Sequence, residues 1–466
     1  MKKTVRAVGL VLLLLLALGM TACKGGANDI KTPTNAGNFF EKDPEHDFGG
    51  KEFVILSWWD STPAKGSPQE AFLAKIAQKY NISKITWVSV PADTYMNRIT
   101  TDMASGNIAD VCWLKGEDFI SMASKNMLQE INADFKESKV YIENFSNSFT
   151  YNGKQYGLVS DTYPEGLIYN KDLLSDFGFE DPMKLFLEGK WTWDAFREMC
   201  IGVMANNATD TENAKYGLGA NTNCSTIGGL LNFIYSNGSS LFGEKNGKVT
   251  HSFEDANSME ALQFVHNLIN VDKASTEELI NENLSWGMFH GGVVAFVTSS
   301  GYGVEYTKNF NVDFDFGLVP YPKGPKASDN TTYISGINGV VFPVGTKDPI
   351  GASKVFEDFL IVEILPKLLD SDGDIDVKLW DEYFKRGKIY FSDDRLMRMC
   401  TDDNQISDLI KVIEVQKGSA ATGYGMNPII NEMMLKIGQG KETPASAVAS
   451  RKQQLQGAID TILNQK

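Results

Sequence analysis

Four short stretches carry side chains that could bind a solute: Trp58-Trp59-Asp60, Trp113, Asp161-Thr162-Tyr163 and Ser299-Ser300-Gly301-Tyr302-Gly303. Indole and phenol rings stack on apolar C–H faces, while carboxylates, amides and backbone N–H groups hydrogen-bond hydroxyls. The set suits an uncharged, polyhydroxylated molecule, since an anion would want arginine and these stretches hold none. Successive side chains of a strand point opposite ways, so one of Trp58 and Trp59 should face a ligand while the other packs. Trp113 reads equally as a core residue. Asp161, Thr162 and the following Pro164 also suit a turn. Gly301 and Gly303 would let backbone approach a ligand. Lesser candidates are Asn237, Trp286, Gly336 and Asn338, whereas Trp191 and Trp193 flank a helix start and read as its anchors.

Catalytic patterns are missing. There is no G-x-S-x-G elbow and no H-E-x-x-H, and His46, His251, His266 and His290 are too far apart to form a spaced ligand motif. A paired-carboxylate hydrolase cannot be read from the 59 acidic residues, because some pair always looks suggestive. A calcium loop starting at Asp370 would need Gly sixth and Glu twelfth, where the chain has Ile375 and Asp381, so this stretch reads as an acidic turn before a helix. The expectation is a binding protein without catalytic residues, metal or cofactor. A secreted carbohydrate-active enzyme is the rival class, and an adhesive surface protein a third.

These groups need a scaffold. At 466 residues the chain exceeds what one core supports, so two lobes are expected. A net charge of −15 argues against nucleic acid or an anionic membrane surface as partner. KEFVILSWWD reads as a strand ending in aromatics, followed by a helix (QEAFLAKIAQKYN), a strand (KITWVSVP), a helix stopping at Gly106 and a strand (ADVCWL). Such alternation implies an α/β fold with a mostly parallel sheet, whose ligands lie beyond the carboxyl ends of the strands. Farther on, residues 157–170 read as two short strands, Thr192 as a helix N-cap, and residues 293–300 as a strand entering a Gly/Ser loop. Cys112, Cys200, Cys224 and Cys400 form no C-x-x-C pair and read as small buried residues rather than disulfides.

The N-terminus has its own pattern. Lys2, Lys3 and Arg6 precede an apolar run from Val8 to Met20, too short to span a bilayer, and Thr21-Ala22 then lead to Cys23. This segment resembles the signal of bacterial lipoproteins, with Met20 a less usual residue at the first position of its lipobox. The resemblance implies cleavage after residue 22 and a diacylglyceryl group on Cys23. Loss of three positive charges would take the net charge to about −18. Residues 23–47 read as a flexible tether.

The ordered series ILSWWD, YMNRITTDMASGNIADVCWL, NGKQYGLV with LIYNKDLL, KWTWDAFREM, WGMFHGGVVAFVTSSGYG, LVPYPKGP and SGINGVVFPVGTKDPIGASKVFEDFL resembles family 1 extracellular solute-binding proteins, the sugar-binding lipoproteins of ABC importers. The likeness runs over nearly the whole mature chain. It departs at Cys112 and at His290-Gly-Gly, where the family has Gly-Lys. The resemblance implies two hinge-linked α/β lobes of the type II-like periplasmic-binding-protein fold around a ligand cleft. Lobe 1 would take residues 48–160 and 317–362, and lobe 2 residues 161–316 and 363–466. It further implies a monomeric, lipid-anchored receptor on the extracytoplasmic face of the membrane, passing a neutral sugar or oligosaccharide to ABC permease subunits. Peptide ligands and uronic oligosaccharides stay open.

Overall fold

The computed structural model describes residues 28–29, 36–134, 138, 140–141, 148–207, 209–210, 212–220, 229–276, 280, 282–300, 302–328, 335–364, 368–384 and 426–463. The signal segment, Cys23, Cys224 and Cys400 lie outside the described residues. Strand β1 (Lys51–Ser57), helix α1 (Pro68–Lys79), β2 (Ile82–Ser89), α2 (Tyr95–Ser105), β3 (Val111–Lys115) and α3 (Gly116–Ser124) follow in order. Local chemistry fixes their ends. The Ser67 side chain accepts from Glu70 N to start α1, with Pro68 in its first turn, and Gly106 closes α2 at φ +77°.

The long strand β4 (Gly157–Asn170) organises the rest. The two short strands expected here form one continuous strand of 14 residues, with Pro164 inside it. Proline is tolerated because β4 changes partners there. Its first half pairs with β8 (Ser335–Val341), and its second half with β6 (Val294–Ser300) and β7 (Phe316–Val319). With β5 (Tyr216–Gly219), the order is β2-β1-β3-β8-β4-β6-β5, and β7 joins on β4 to make an eight-stranded sheet. β1, β2 and β3 are parallel, but β8 runs antiparallel to both β3 and β4, so the sheet is mixed.

Alternation along the strands builds a core on each side of each half-sheet. In the first half, Phe53, Ile55, Val111 and Trp113 face one cluster while Leu56, Cys112 and Leu114 face another. In the second half, Leu167 and Tyr169 enter a large cluster that includes α4 (Trp193–Gly202), and Ile168 faces a smaller one. Helices α5 (Asn232–Ser236), α6 (Glu282–His290) and α7 (Tyr302–Asn309) pack on this second half, α8 (Pro349–Ile364) packs on the first, and α9 (Pro444–Leu463) follows last. Thr192 caps α4 through Ala195 N, and Trp191 and Trp193 are buried beside it. Cys112 and Cys200 are free buried thiols, and burial pushes Cys112 above its usual range.

Segments differ from the expected division at three places. Phe316–Val319 pairs with Leu167–Asn170, so Val319 and Tyr321 belong to the second lobe's core. Leu368, Ile375 and Trp380 pack in the first lobe's core instead of the second. Residues 36–47, read as tether, are docked. Phe39 is fully buried against Phe72 and Trp380, Lys79 Nζ sits 4.7 Å over its ring while pairing with Asp358 at 2.7 Å, and His46 meets Asp348 at 2.8 Å. Apolar Phe39 and Phe40 give this end of the linker a reason to bind the lobe.

Candidate functional site

The carboxyl end of β3, the start of β8 and the end of β6 flank the middle of β4, from Asp161 to Glu165. Register pairs join them in sequence: Lys115 opposite Asn338, Asn338 opposite Asp161, Gly336 opposite Tyr163, Ser335 opposite Pro164, and Ser300 opposite Glu165. Asp161, Tyr163, Gly336, Asn338 and Ser300 are therefore brought together at backbone level. Between Asn338 and Gly339 the register slips past Ser160, a bulge that re-aims β4 where it leaves the first lobe.

Trp58 and Trp59 are both half-buried and pack edge-on to each other at 5.6 Å, but their other neighbours differ. Trp59 packs edge-on to Trp113 at 4.9 Å and near Trp87 at 5.5 Å, and its Nε1 donates to Ser61 Oγ at 2.8 Å. Trp58 turns to Tyr95 at 5.5 Å and keeps part of its surface open, with Lys115 Nζ 5.5 Å over the ring. Trp113, expected as a possible contact, is only 1% exposed. It is lodged between Trp59 and Phe356, so it supports the site from below and presents no face to it. The central position of β3 in the sheet makes it a core residue.

Asp60 is exposed and its carboxylate closes a local turn on Thr62 N at 2.9 Å, and the Thr62 hydrogen bonds hold its pKa below the usual carboxylate range. Beside it lies a pocket of about 280 Å³ between residues 60–64, the first turn of α1, and Phe359 and Glu363 of α8. Ser61 Oγ donates to Glu363 Oε1 across its wall at 3.0 Å.

The lesser candidates divide. Asn338 is buried and donates from Nδ2 to Asp161 Oδ2 at 3.1 Å. Asn237, against expectation, is fully buried, with Nδ2 donating to Asn257 O and Glu260 and Oδ1 accepting from Lys326 N. Its hydrogen-bonding capacity goes to fastening the turn after β7, which removes it from the ligand contacts. Trp286, on α6, stands behind the start of α7, against Tyr306 and His290. A Cβ on Gly303 would come within 2.8 Å of its Cη2, so glycine is required for that approach.

Residues missed in the sequence complete the floor. Lys115 ends β3 over Trp58, and burial raises the pKa of Asp118 one helical turn away, opposed by Lys115. Ser160 Oγ and Asn338 Oδ1 are buried with no hydrogen-bond partner. Glu165 is 2% exposed and both its carboxyl oxygens lack partners. The signal for Glu165 was present, an acid inside an otherwise apolar strand segment (EGLIY). Among the described residues no cluster of His, Cys, Asp and Glu could hold a metal, and no helix is long and apolar enough to cross a membrane.

Known proteins share this architecture. The sequence profile of bacterial extracellular solute-binding proteins matches residues 71–361. Binding proteins of Brucella abortus (strain 2308) and Brucella suis biovar 1 (strain 1330) are each 22% identical over 277 residues, covering 58% of this chain and 62% of their own length. The match thus spans less than two thirds of these relatives. Among solved structures, an ABC substrate-binding protein of Listeria monocytogenes in complex with cycloalternan superposes with a TM-score of 0.61 at 18% identity, over 89% of this chain and all of that one. The GacH receptor of Streptomyces glaucescens, solved unliganded and with acarbose, gives 0.60 at 16% over 89% and 99%. The cyclic α-maltosyl-1,6-maltose binding protein of Arthrobacter globiformis gives 0.61 at 15% over 89% and 99%. At these identities the likeness establishes the two-lobe α/β solute-binding fold.

Proposed function

Because the chain belongs to the bacterial extracellular solute-binding family, we propose that it is the receptor of an ABC importer for an uncharged sugar or oligosaccharide, held in a cleft whose floor is the middle of β4. The observation that carries this reading is that the segment of β4 joining the two half-sheets, with its partner β8, holds buried polar atoms without hydrogen-bond partners: Ser160 Oγ and Asn338 Oδ1 on the first-lobe side and both oxygens of Glu165 on the second. Native structures pair nearly all such atoms. A solute rich in hydroxyls would supply the missing partners while its C–H face stacked on the part-open indole of Trp58. Two of the structures named above are complexes with cycloalternan and with acarbose, which supports the same class.

The mechanism follows from the strand change in β4. One half of the strand belongs to each lobe, so bending about Ser160–Glu165 would bring Trp58, Asp161 and Asn338 of the first lobe toward Ser300 and Tyr302 of the second. A solute touching both sides binds the closed form better and so populates it. Closed, loaded receptor would then dock on the permease subunits as a monomer. Delivery to a permease, cleavage at Cys23 and lipid anchoring on the outer face of the cell membrane are parts of this proposal. The relatives' names as binding proteins and receptors support binding over turnover; shortening of an oligosaccharide over hours would return the enzyme reading.

A thermal-shift screen against neutral mono- and oligosaccharides tests it. A solute at 100 times its Kd should stabilise the fold by about 2.7 kcal/mol. Trp58→Ala should abolish the shift; its unliganded melting temperature should fall, since the ring also packs on Tyr95 and Trp59, but a single cooperative transition should show that it still folds. A shift of equal size in Trp58→Ala would remove the ring from the site, and no shift with any saccharide would remove the sugar.

A further inference from the structure

Glu165 sits where two strand ends meet on β4. Ser300, the last residue of β6, is its register partner, and Ser335, the first of β8, faces the preceding Pro164. Its strand neighbours of the same parity, Leu167 and Tyr169, point into the second lobe's large core. Glu165 is thus the polar residue closing the cleft end of that apolar row. Asn232, at the start of α5, and the buried Tyr321 lie around it. The Tyr321 hydroxyl is engaged, donating to Gly229 O at 3.0 Å. Neither carboxyl oxygen meets hydrogen-bond geometry, although the Asn232 side chain comes close enough to favour the ionised form weakly against burial.

From this placement, and resting on the receptor reading above, we infer that Glu165 is a specificity-determining residue of the cleft, which exchanges hydrogen bonds with a hydroxyl of an uncharged saccharide and bars anionic sugars. A buried carboxylate without a cation beside it is costly and takes up a proton instead. Burial accordingly pushes the Glu165 pKa well above the usual carboxylate range, opposed only by the Asn232 side chain. The neutral acid offers one O–H donor and carbonyl acceptor capacity, which matches a hydroxyl that both gives and takes. A uronate or sugar phosphate brings only acceptors and a negative charge, and would force Glu165 to stay protonated against a second anion. An ammonium brings only donors and would need the ionised acid.

Calorimetric titration of the full chain with maltotetraose, cellotetraose and tetragalacturonate separates these cases, using wild type, Glu165→Gln and Glu165→Leu. Glutamine keeps a donor and an acceptor in the same shape; leucine keeps neither. For the neutral tetrasaccharide that binds, Glu165→Gln should hold Kd within about threefold, and Glu165→Leu should weaken it about 10- to 100-fold, the cost of leaving a hydroxyl unpaired. Glu165→Leu should unfold cooperatively at or above the wild-type temperature, so the loss is not one of folding. Tetragalacturonate should give no binding heat. Unchanged affinity in Glu165→Leu overturns the inference, as does loss of binding in Glu165→Gln, or binding of tetragalacturonate as tight as the neutral sugar. Failure of wild type to bind either neutral tetrasaccharide would instead bring down the receptor reading, and this inference with it.

Discussion

At the scale of single residues, the site is a contrast between groups that are satisfied and groups that are not. Asn237 and Trp113 looked like ligand contacts because amides and indoles bind sugars, yet each spends its capacity inside the protein. Type and strand-end position were legible in the sequence. Satisfaction was not, because it depends on partners such as Lys326 and Phe356 that are distant in the chain. Glu165 reverses the case: an acid in an apolar strand is visible, but its lack of a partner is not. Its raised pKa gives a stability prediction. The folded state keeps the proton while the unfolded glutamate releases it above its ordinary value of 4.5, so the folded form binds more protons. Stability should therefore fall as pH rises from about 5, with a contribution approaching 1.4 kcal/mol per unit until the folded pKa is reached. Urea melts at pH 5 and 7.5 check it: Glu165→Gln should be relatively more stable at pH 7.5, and an equal difference at both values would show Glu165 ionised in the fold.

At the scale of elements, local signals located most pieces and failed at β4. The Ser67, Gly106 and Thr192 end signals act within one turn of backbone, so they survive into the structure. The turn signal of Asp161, Thr162 and Pro164 is overridden by tertiary pairing, since β8 on one side and β6 and β7 on the other keep the strand continuous through it. The strand Ser335–Val341 likewise runs antiparallel to both its neighbours in a sheet expected to be mostly parallel, a matter of topology that no local pattern encodes. The bulge at Ser160 depends on Gly339, where an added Cβ would lie 2.1 Å from the Leu158 carbonyl oxygen. Because the obstacle is backbone, Gly339→Ala should cost about 1–3 kcal/mol in urea denaturation and weaken solute binding by displacing Asn338. Wild-type stability in that variant would mean the bulge is not tightly packed.

At the scale of the molecule, β4 is one connection between lobes and the last helix, α9, is another. α9 packs through Val448, Leu455 and Ile459 in the second lobe's core, while Ile462 and Leu463 reach the helical side of the first lobe. The two-lobe class followed from length and strand–helix alternation. The exact division did not, because Phe316–Val319 and Trp380 cross back to lobes that sequence order alone does not name. Closure about β4 should reduce the radius of gyration in small-angle scattering when a binding saccharide is added, and Glu165→Leu should need a higher concentration for the same change. Receptor function of this kind requires the solute to lie between the lobes, so a crystal structure with the bound saccharide is the most direct measurement. It should show the sugar stacked on Trp58 and hydrogen-bonded by Asn338 and Glu165, with contacts from both lobes. A sugar held by one lobe alone, or seated in the outer pocket between Asp60 and Glu363, would contradict it.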